Sequence, residues 1–125
     1  MNMNLNNLGF TDGISEVIAT TKSAEGTFNA APIGIRRKGE KVWVEIFTNT
    51  QTCKNILSTK KLVANVTDDV LIFALTSFRN LELKYFDIAL DMPVVKDADA
   101  WILFICESDK MSKAKTKVKF HLTPV

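Results

Sequence analysis

The sequence predicts a mainly β (α+β) domain, folded as an antiparallel barrel of about six strands with short inserted helices. Three observations predict this class. Most apolar runs are as short as strands and rich in β-branched or aromatic residues. Hairpin-length turns join several of them, as at residues 24–26 and 36–41. Strands and helices do not alternate regularly, which disfavours a parallel doubly wound sheet.

The length and composition of the chain predict one globular domain spanning residues 1–125. A chain of 125 residues with 46% hydrophobic content can bury a real core. Its formal net charge of +2 gives no field that argues for nucleic acid. A lysine run near the C-terminus is interpreted as a solvated turn and strand face rather than as a nucleic-acid patch. Its members are Lys110, Lys113, Lys115, Lys117 and Lys119.

The two cysteines and the single histidine indicate which metal sites are excluded and which cellular compartment is expected. Cys53 and Cys106 do not form a CxxC motif, and with His121 they are too few for a structural zinc site. The N-terminus lacks the pattern of a signal peptide. No apolar run approaches the roughly 20 residues that span a bilayer. We therefore expect a cytoplasmic protein with free thiols, no metal and no membrane partner.

The first half of the chain predicts a polar leader over residues 1–12, a turn at Asp12-Gly13, and strands over residues 14–22 and 28–37. The second strand is unusual because it contains Pro32 and Gly34. Proline cannot donate to a sheet ladder, so this strand lies at an edge or carries a bulge or break. Two interpretations stay open, a bulged barrel strand and a strand whose free backbone groups face a bound planar molecule.

Residues 42–47 alternate in a pattern with two largely apolar faces, which predicts a central strand. Thr50 or Thr52 is expected to cap a short helix, and Asp68 or Asp69 a second one. Residues 76–91 fit helix, loop or both, and end at Met92-Pro93. The other predicted elements are strands at residues 62–67, 98–107 and 116–122 and a turn at 108–114.

The polar turn after the central strand is the best candidate site. A phosphate monoester is bound by hydroxyl and backbone N–H donors at a helix N-terminus, with a cation nearby. The alternative is an ordinary helix cap with polar decoration. The candidate donors are Thr48, Asn49, Thr50, Thr52, Lys54 and Asn55.

Other reactive groups favour structural roles. Cys53 lies at the same helix start, but no histidine is near it in sequence, so a catalytic cysteine is disfavoured. Asp68-Asp69 is interpreted as a helix cap rather than a metal site. His121 is expected at the surface, and Trp43 and Trp101 in the core or an interface. No catalytic acid, base or nucleophile is predicted.

Four segments together resemble one protein family. NAAPIGI begins at Asn29, TNTQTCKNI at Thr48, LVANVTDDVLIFA at Leu62 and DADAWILF at Asp97. In order and spacing they resemble the DUF447 family of the FMN-binding split-barrel superfamily, which includes flavin reductases and pyridoxamine-phosphate-oxidase-like proteins. The resemblance spans residues 13–109. Two departures are Cys53, where an aromatic residue is common, and the end of the chain at Val125, which suggests a short member or a fragment.

The resemblance implies a six-stranded split barrel that forms a homodimer with FMN at the subunit interface. The isoalloxazine ring would lie along Ala31, Pro32, Ile33 and Gly34, and the phosphate among the six donors of the polar turn. The function expected is FMN binding, extended to a flavin-dependent oxidoreductase in which the flavin performs the redox chemistry. The alternatives are a non-catalytic module for another phosphorylated ligand and, more weakly, a nucleic-acid-binding barrel. The residues indicate neither substrate nor electron donor.

Overall fold

The computed structural model describes residues 10–109 and 116–125. In this part of the chain, eight strands, two α-helices and one 3-10 helix follow one another. They are β1 Gly13–Lys22, β2 Phe28–Lys38, β3 Lys41–Phe47, α1 Gln51–Thr59, β4 Lys61–Val66, α2 Val70–Phe78, the 3-10 helix Leu83–Tyr85, β5 Phe86–Ala89, β6 Met92–Val95, β7 Ala100–Ser108 and β8 Lys117–Pro124.

Six strands close into an antiparallel barrel in the order β1-β2-β3-β8-β7-β4. The pairing of β4 with β1, from Ile18 opposite Asn65 to Thr20 opposite Val63, completes the ring. The predicted six-stranded antiparallel split barrel is confirmed. Most of the expected leader and of the turn at residues 108–114 lies outside the described residues.

The barrel interior is filled by alternate residues of the strands. In β3, Val42, Val44 and Ile46 are buried, as the alternation predicts. β3 is also a central strand, since it pairs with β2 and with β8. Its outer face is open, however, and Phe47 there is 54% exposed. Phe104 and Phe120, the largest fully buried side chains, fill the middle of the barrel.

β5 and β6 form a separate two-stranded hairpin that the sequence does not predict. The turn between them holds Leu90 and Asp91, both with positive φ (50° and 62°). This two-residue geometry usually needs Asn-Gly or a similar pair, so the turn carries no recognisable signal. The ambiguous segment 76–91 therefore divides into the end of α2, a loop, the 3-10 helix and β5.

Side-chain caps fix the start of each helix. Thr50, not Thr52, is the N-cap of α1, and its hydroxyl accepts from the Cys53 N–H at 3.1 Å. Asp69, not Asp68, is the N-cap of α2, and its carboxylate accepts from the Leu71 N–H at 3.0 Å. These caps position α1 after β3 and α2 after β4.

A buried polar network fastens the β5–β6 hairpin to the barrel. The Asn65 amide is fully buried; its nitrogen donates to the Ile18 carbonyl at 2.9 Å, and its oxygen accepts from the Val95 N–H at 2.8 Å. The Thr20 hydroxyl accepts from the same nitrogen and donates to the Pro93 carbonyl. One amide therefore satisfies backbone groups on both β1 and β6.

We expect Asn65→Ala to lower the free energy of unfolding by about 2–3 kcal/mol, because buried backbone groups of Ile18 and Val95 lose their partner. Asn49→Ala, at an exposed asparagine, is the matched control and should change stability by less than about 0.5 kcal/mol. Urea unfolding of both variants measures the difference. If the two variants lost equal amounts of stability, the Asn65 network would not make the contribution to the free energy of unfolding that we expect.

Candidate functional site

A cleft of about 250 Å³ opens on the outer side of the barrel between β2, β3 and the start of α1. Its wall combines strand backbone, apolar side chains, one carboxylate and two hydroxyls. Six of the predicted site residues lie in it. The lining residues are Ala31, Pro32, Ile33, Gly34, Glu45, Ile46, Phe47, Thr50 and Thr52.

The first wall of the cleft is a free strand edge. β2 pairs with β1 from Phe28 to Arg37, but its register with β3 covers only Arg36–Lys38. Pro32, which has no N–H, lies in the segment that β3 does not reach, opposite Ile18 of β1. The strand continues through the proline without a break. Of the predicted alternatives, an edge is therefore correct.

The direction of the edge groups follows from antiparallel alternation. The Ala30 N–H donates away from β1, to the side-chain oxygen of Asn80 at 2.8 Å. Residues two and four positions further along share this direction. The carbonyl of Pro32 and both the N–H and carbonyl of Gly34 therefore point out of the unpaired edge. This segment offers one donor and two acceptors from the main chain.

Gly34 is required by its neighbours on β1. A Cβ atom at this position would lie 2.9 Å from Ile14 Cγ2 and 3.4 Å from a carboxylate oxygen of Glu16. Glycine in this strand thus accommodates two cross-strand side chains. Ile14 is 58% exposed, so this contact lies on the solvent-facing side of the sheet.

The second wall is the N-terminus of α1. Thr50 caps the Cys53 N–H and donates its own hydroxyl proton to the Phe47 carbonyl at 2.8 Å. The N–H groups of Gln51 and Thr52 in the first turn have no intrahelical acceptor and remain for a ligand or solvent. The positive end of the helix dipole lies at the same point. This end of the cleft suits a negatively charged group.

A hydrogen bond joins the two walls. Asn29 of β2 donates from its side-chain nitrogen to the Thr52 hydroxyl at 3.2 Å. Thr52 is only 3% exposed and Asn29 is half-buried, so the contact is partly shielded from solvent. It fixes the distance between the free strand edge and the helix start. Nothing in the local sequence around Asn29 indicates that its side chain reaches α1.

The remaining predicted donors lie outside the cleft lining. Thr48, Asn49 and Lys54 are exposed around the start of α1, and the Thr48 hydroxyl donates to the Thr116 carbonyl at 3.3 Å. Asn55 points into the protein instead: it is 1% exposed and donates to the Thr21 hydroxyl at 3.0 Å, while accepting from Gln51. Its side chain therefore braces α1 against β1.

Two residues of β3 complete the cleft beyond the predicted set. Phe47 presents an exposed ring, and the ammonium of Lys117 lies 4.8 Å from its centroid. Glu45 faces the same side. The alternation of β3 predicts that both residues share a face, and the burial of Val42, Val44 and Ile46 shows that this face points away from the barrel interior. Their position opposite Pro32 depends on the register between β2 and β3, which the sequence does not show.

The two thiols are structural. Cys53 and Cys106 are free and buried, with exposures of 0% and 2%. Burial raises the pKa of Cys53, and burial raises the pKa of Cys106 to about 12, against a smaller opposing effect of a backbone hydrogen bond with Leu62. Burial thus favours the neutral form of both thiols.

A larger cavity, of about 670 Å³, lies elsewhere, beside α2 and the β5–β6 hairpin. Its charged lining residues are Asp68, Asp69, Lys84, Lys96, Asp97 and Asp99. Within residues 10–109 and 116–125, no group of three or more His, Cys, Asp or Glu side chains is arranged to hold a metal ion. The helices of the same residues include none long and apolar enough to cross a membrane.

Comparison with known proteins gives one family and one architecture. Residues 15–125 match the family described as "Protein of unknown function (DUF447) N-terminal domain". An FMN-bound DUF447 protein from Methanosarcina mazei has 34% identity and a TM-score of 0.87, and the alignment covers 98% of this chain. The chain spans 63% of the length of that relative.

More distant structures share the fold. The flavin reductase of styrene monooxygenase from Pseudomonas putida has 15% identity and a TM-score of 0.68, with 97% of this chain and 84% of that chain covered. An FMN-binding protein from Thermus thermophilus, with bound p-hydroxybenzaldehyde, has 12% identity and a TM-score of 0.73. That alignment covers 93% of this chain and 71% of the other.

The buried thiols predict a loss of stability at alkaline pH. Because the folded-state pKa of Cys106 is raised to about 12, the unfolded chain releases the thiol proton first. Stability is therefore complete below the ordinary thiol pKa and falls as pH rises from about 9 towards 12, by at most about 1.4 kcal/mol per pH unit. Urea unfolding between about pH 8 and pH 10 measures the slope.

Cys106→Ala is the control, since it removes this proton and leaves the rest of the chain unchanged. Its lower starting stability does not matter, because the comparison is between slopes. If the variant and the parent lose stability equally with pH, the thiol is not the group responsible.

Proposed function

The chain belongs to the DUF447 N-terminal domain family, and from that membership and the geometry of the cleft we propose that it binds FMN. One observation carries the proposal. The cleft brings a free backbone edge and a helix N-terminus together in one site, which suits the ring and the phosphate of a single molecule. The FMN-bound relative at 34% identity supports the choice of ligand.

The main-chain hydrogen-bonding groups along the edge of β2 suit the polar edge of a flavin ring. A pyrimidine-type ring edge presents alternating carbonyl and N–H groups, and Pro32 and Gly34 offer main-chain acceptors and a donor along one line. Ala31 and Ile33 contribute apolar contact beside them. Phe47 supplies an aromatic face at the other side of the cleft. In this arrangement the protein binds and orients the ring, and the bound flavin supplies the redox chemistry.

The phosphate is proposed to lie at the N-terminus of α1. The N–H groups of Gln51 and Thr52 point towards it, and the helix dipole favours its charge. Thr52 can donate its hydroxyl proton, because its oxygen accepts from Asn29. The exposed donors around the helix start, Thr48, Asn49 and Lys54, are the remaining candidates. Asn55 supports this wall from inside rather than contacting the ligand.

A homodimer is the second part of the proposal. The cleft is smaller than the roughly 300–1,000 Å³ of most small-molecule sites, and it is open to solvent on one side. The exposed ring of Phe47 lies on this open side. A second subunit would bury it and close the site. The free, buried cysteines fit a reducing compartment, which supports a cytoplasmic location.

Flavin-dependent oxidoreduction is the extension of this function. Glu45 is the one ionisable side chain among the cleft residues of the described chain, and it lacks a histidine or a second carboxylate for proton relay. Reaction chemistry at this site would therefore rest on the flavin. The likeness in fold to flavin reductases agrees with this extension. A binding module without turnover is the alternative.

We expect Lys54→Ala to weaken FMN binding about three- to tenfold, because one cation beside the phosphate is lost. Riboflavin, which lacks the phosphate, should bind equally to the variant and the parent. Lys60→Ala is the matched control, since Lys60 is exposed at the opposite end of α1. Calorimetric titration with both flavins gives the two ratios.

The same preparation tests the other parts of the proposal. Gel filtration should give twice the mass of one chain, with flavin absorbance in the protein peak. Oxidation of NADH or NADPH by the FMN-loaded protein would support the oxidoreductase, and its absence the binding module. No heat of binding with FMN and no flavin in the peak would refute FMN binding and leave another phosphorylated ligand as the alternative.

A further inference from the structure

One side chain occupies the outer edge of β2 immediately before the ligand segment. Asn80 follows α2 by two residues, and its amide makes three hydrogen bonds. The oxygen accepts from the Ala30 N–H at 2.8 Å and from the Leu81 N–H at 2.9 Å. The nitrogen donates to the Phe28 carbonyl at 2.8 Å. The amide therefore pairs with β2 as the peptide group of a neighbouring strand would.

Asn80 thereby divides the edge of β2 into three parts. Its amide hydrogen-bonds the Phe28 carbonyl and the Ala30 N–H, whereas β3 pairs with Arg36–Lys38. The open segment lies between them, with Pro32 and Gly34. Along the strand, Ala30 is about 7 Å from Pro32 and about 13 Å from Gly34, so the amide acts next to the first of the proposed ligand contacts.

α2 is anchored to the same part of β2. Ile72 packs in a cluster with Ala30 and Phe86, and Phe28 and Phe73 border it. This apolar contact holds the helix, but it is not directional. The Asn80 amide adds the directional element, because its bonds define where the Ala30 peptide lies relative to the end of the helix.

We propose that Asn80 is a positioning residue of the flavin site: it holds the Ala30 peptide so that the Pro32 carbonyl and the Gly34 N–H meet the ligand. The inference rests on the proposed FMN site and adds a residue that does not itself line the cleft. It explains why a polar side chain, rather than a strand, covers the edge of β2 at this point. A strand here would continue the ladder over the ligand segment, whereas a single amide ends after one pair.

The test compares three variants of the full chain. Asn80→Ala removes both contacts with β2. Asn80→Asp keeps an oxygen opposite the N–H groups of Ala30 and Leu81 but removes the donor to Phe28. Ile72→Val is the control, since it loosens the packing of α2 against Ala30 but leaves the hydrogen bonds of Asn80 with β2 in place. The readouts are the Kd for FMN, the absorption band of the bound flavin, and hydrogen exchange of residues 28–35 without ligand.

We expect Asn80→Ala to weaken FMN binding about three- to tenfold, to shift the flavin band and to increase exchange in residues 28–35. Asn80→Asp should show the same changes to a smaller extent. Ile72→Val should keep the Kd within about twofold and leave the band unchanged. A merely structural role for Asn80 would not move the band, because the flavin would meet the same contacts once bound.

Each contrary result has a separate meaning. Unchanged Kd and band in the Asn80 variants, with normal binding by the parent protein, would overturn the positioning role and leave the FMN site intact. Equal changes in Ile72→Val would overturn it too, since the seating of α2 would then be responsible. Failure of the parent to bind FMN would overturn the proposed function and this inference together. If Asn80→Ala does not fold, Asn80→Asp and its exchange pattern decide.

Discussion

The unpaired outer edge of β2 is the constraint on which the site depends. Main-chain N–H and C=O groups must be hydrogen-bonded or solvated, and a bare strand edge invites pairing with another chain. In this barrel the edge is covered from both ends, by Asn80 before it and by β3 after it. Pro32 removes one donor from the middle. The short unpaired segment that remains can form hydrogen bonds with a ligand, but it is too short to pair well with another strand.

The second requirement is that the edge keeps its distance from the start of α1. Asn29 provides the link on the solvent side, through the hydroxyl of Thr52. Asn55 provides it on the inside, through Thr21 of β1. The helix is thus held by amide–hydroxyl pairs on two of its faces. Buried pairs of this kind are directional, so they specify the position of the helix more closely than apolar packing does.

Local signals predicted the barrel because each of them reflects chemistry within a few residues. Strand alternation indicated which side chains of β3 share a face, and Pro32 indicated an edge, a bulge or a break. Asn55 and Asn80 could not be assigned in this way, since their partners lie 34 and 50 residues away. The β5–β6 hairpin was not predicted for a different reason. Leu90-Asp91 adopts left-handed backbone without glycine or asparagine, so the packing of the hairpin against the barrel overrides the local preference of its turn.

The openness of the cleft links ligand binding to association. On the proposed dimer, both walls of each site belong to one subunit, and the second subunit covers the open side, where the exposed ring of Phe47 becomes interior. A ligand that contacts both subunits then stabilises the dimer over the monomers by mass action. Its apparent affinity depends in turn on protein concentration. Such a protein can leave the redox chemistry to its cofactor, because its own contribution is to hold the cofactor between a strand edge and a helix N-terminus.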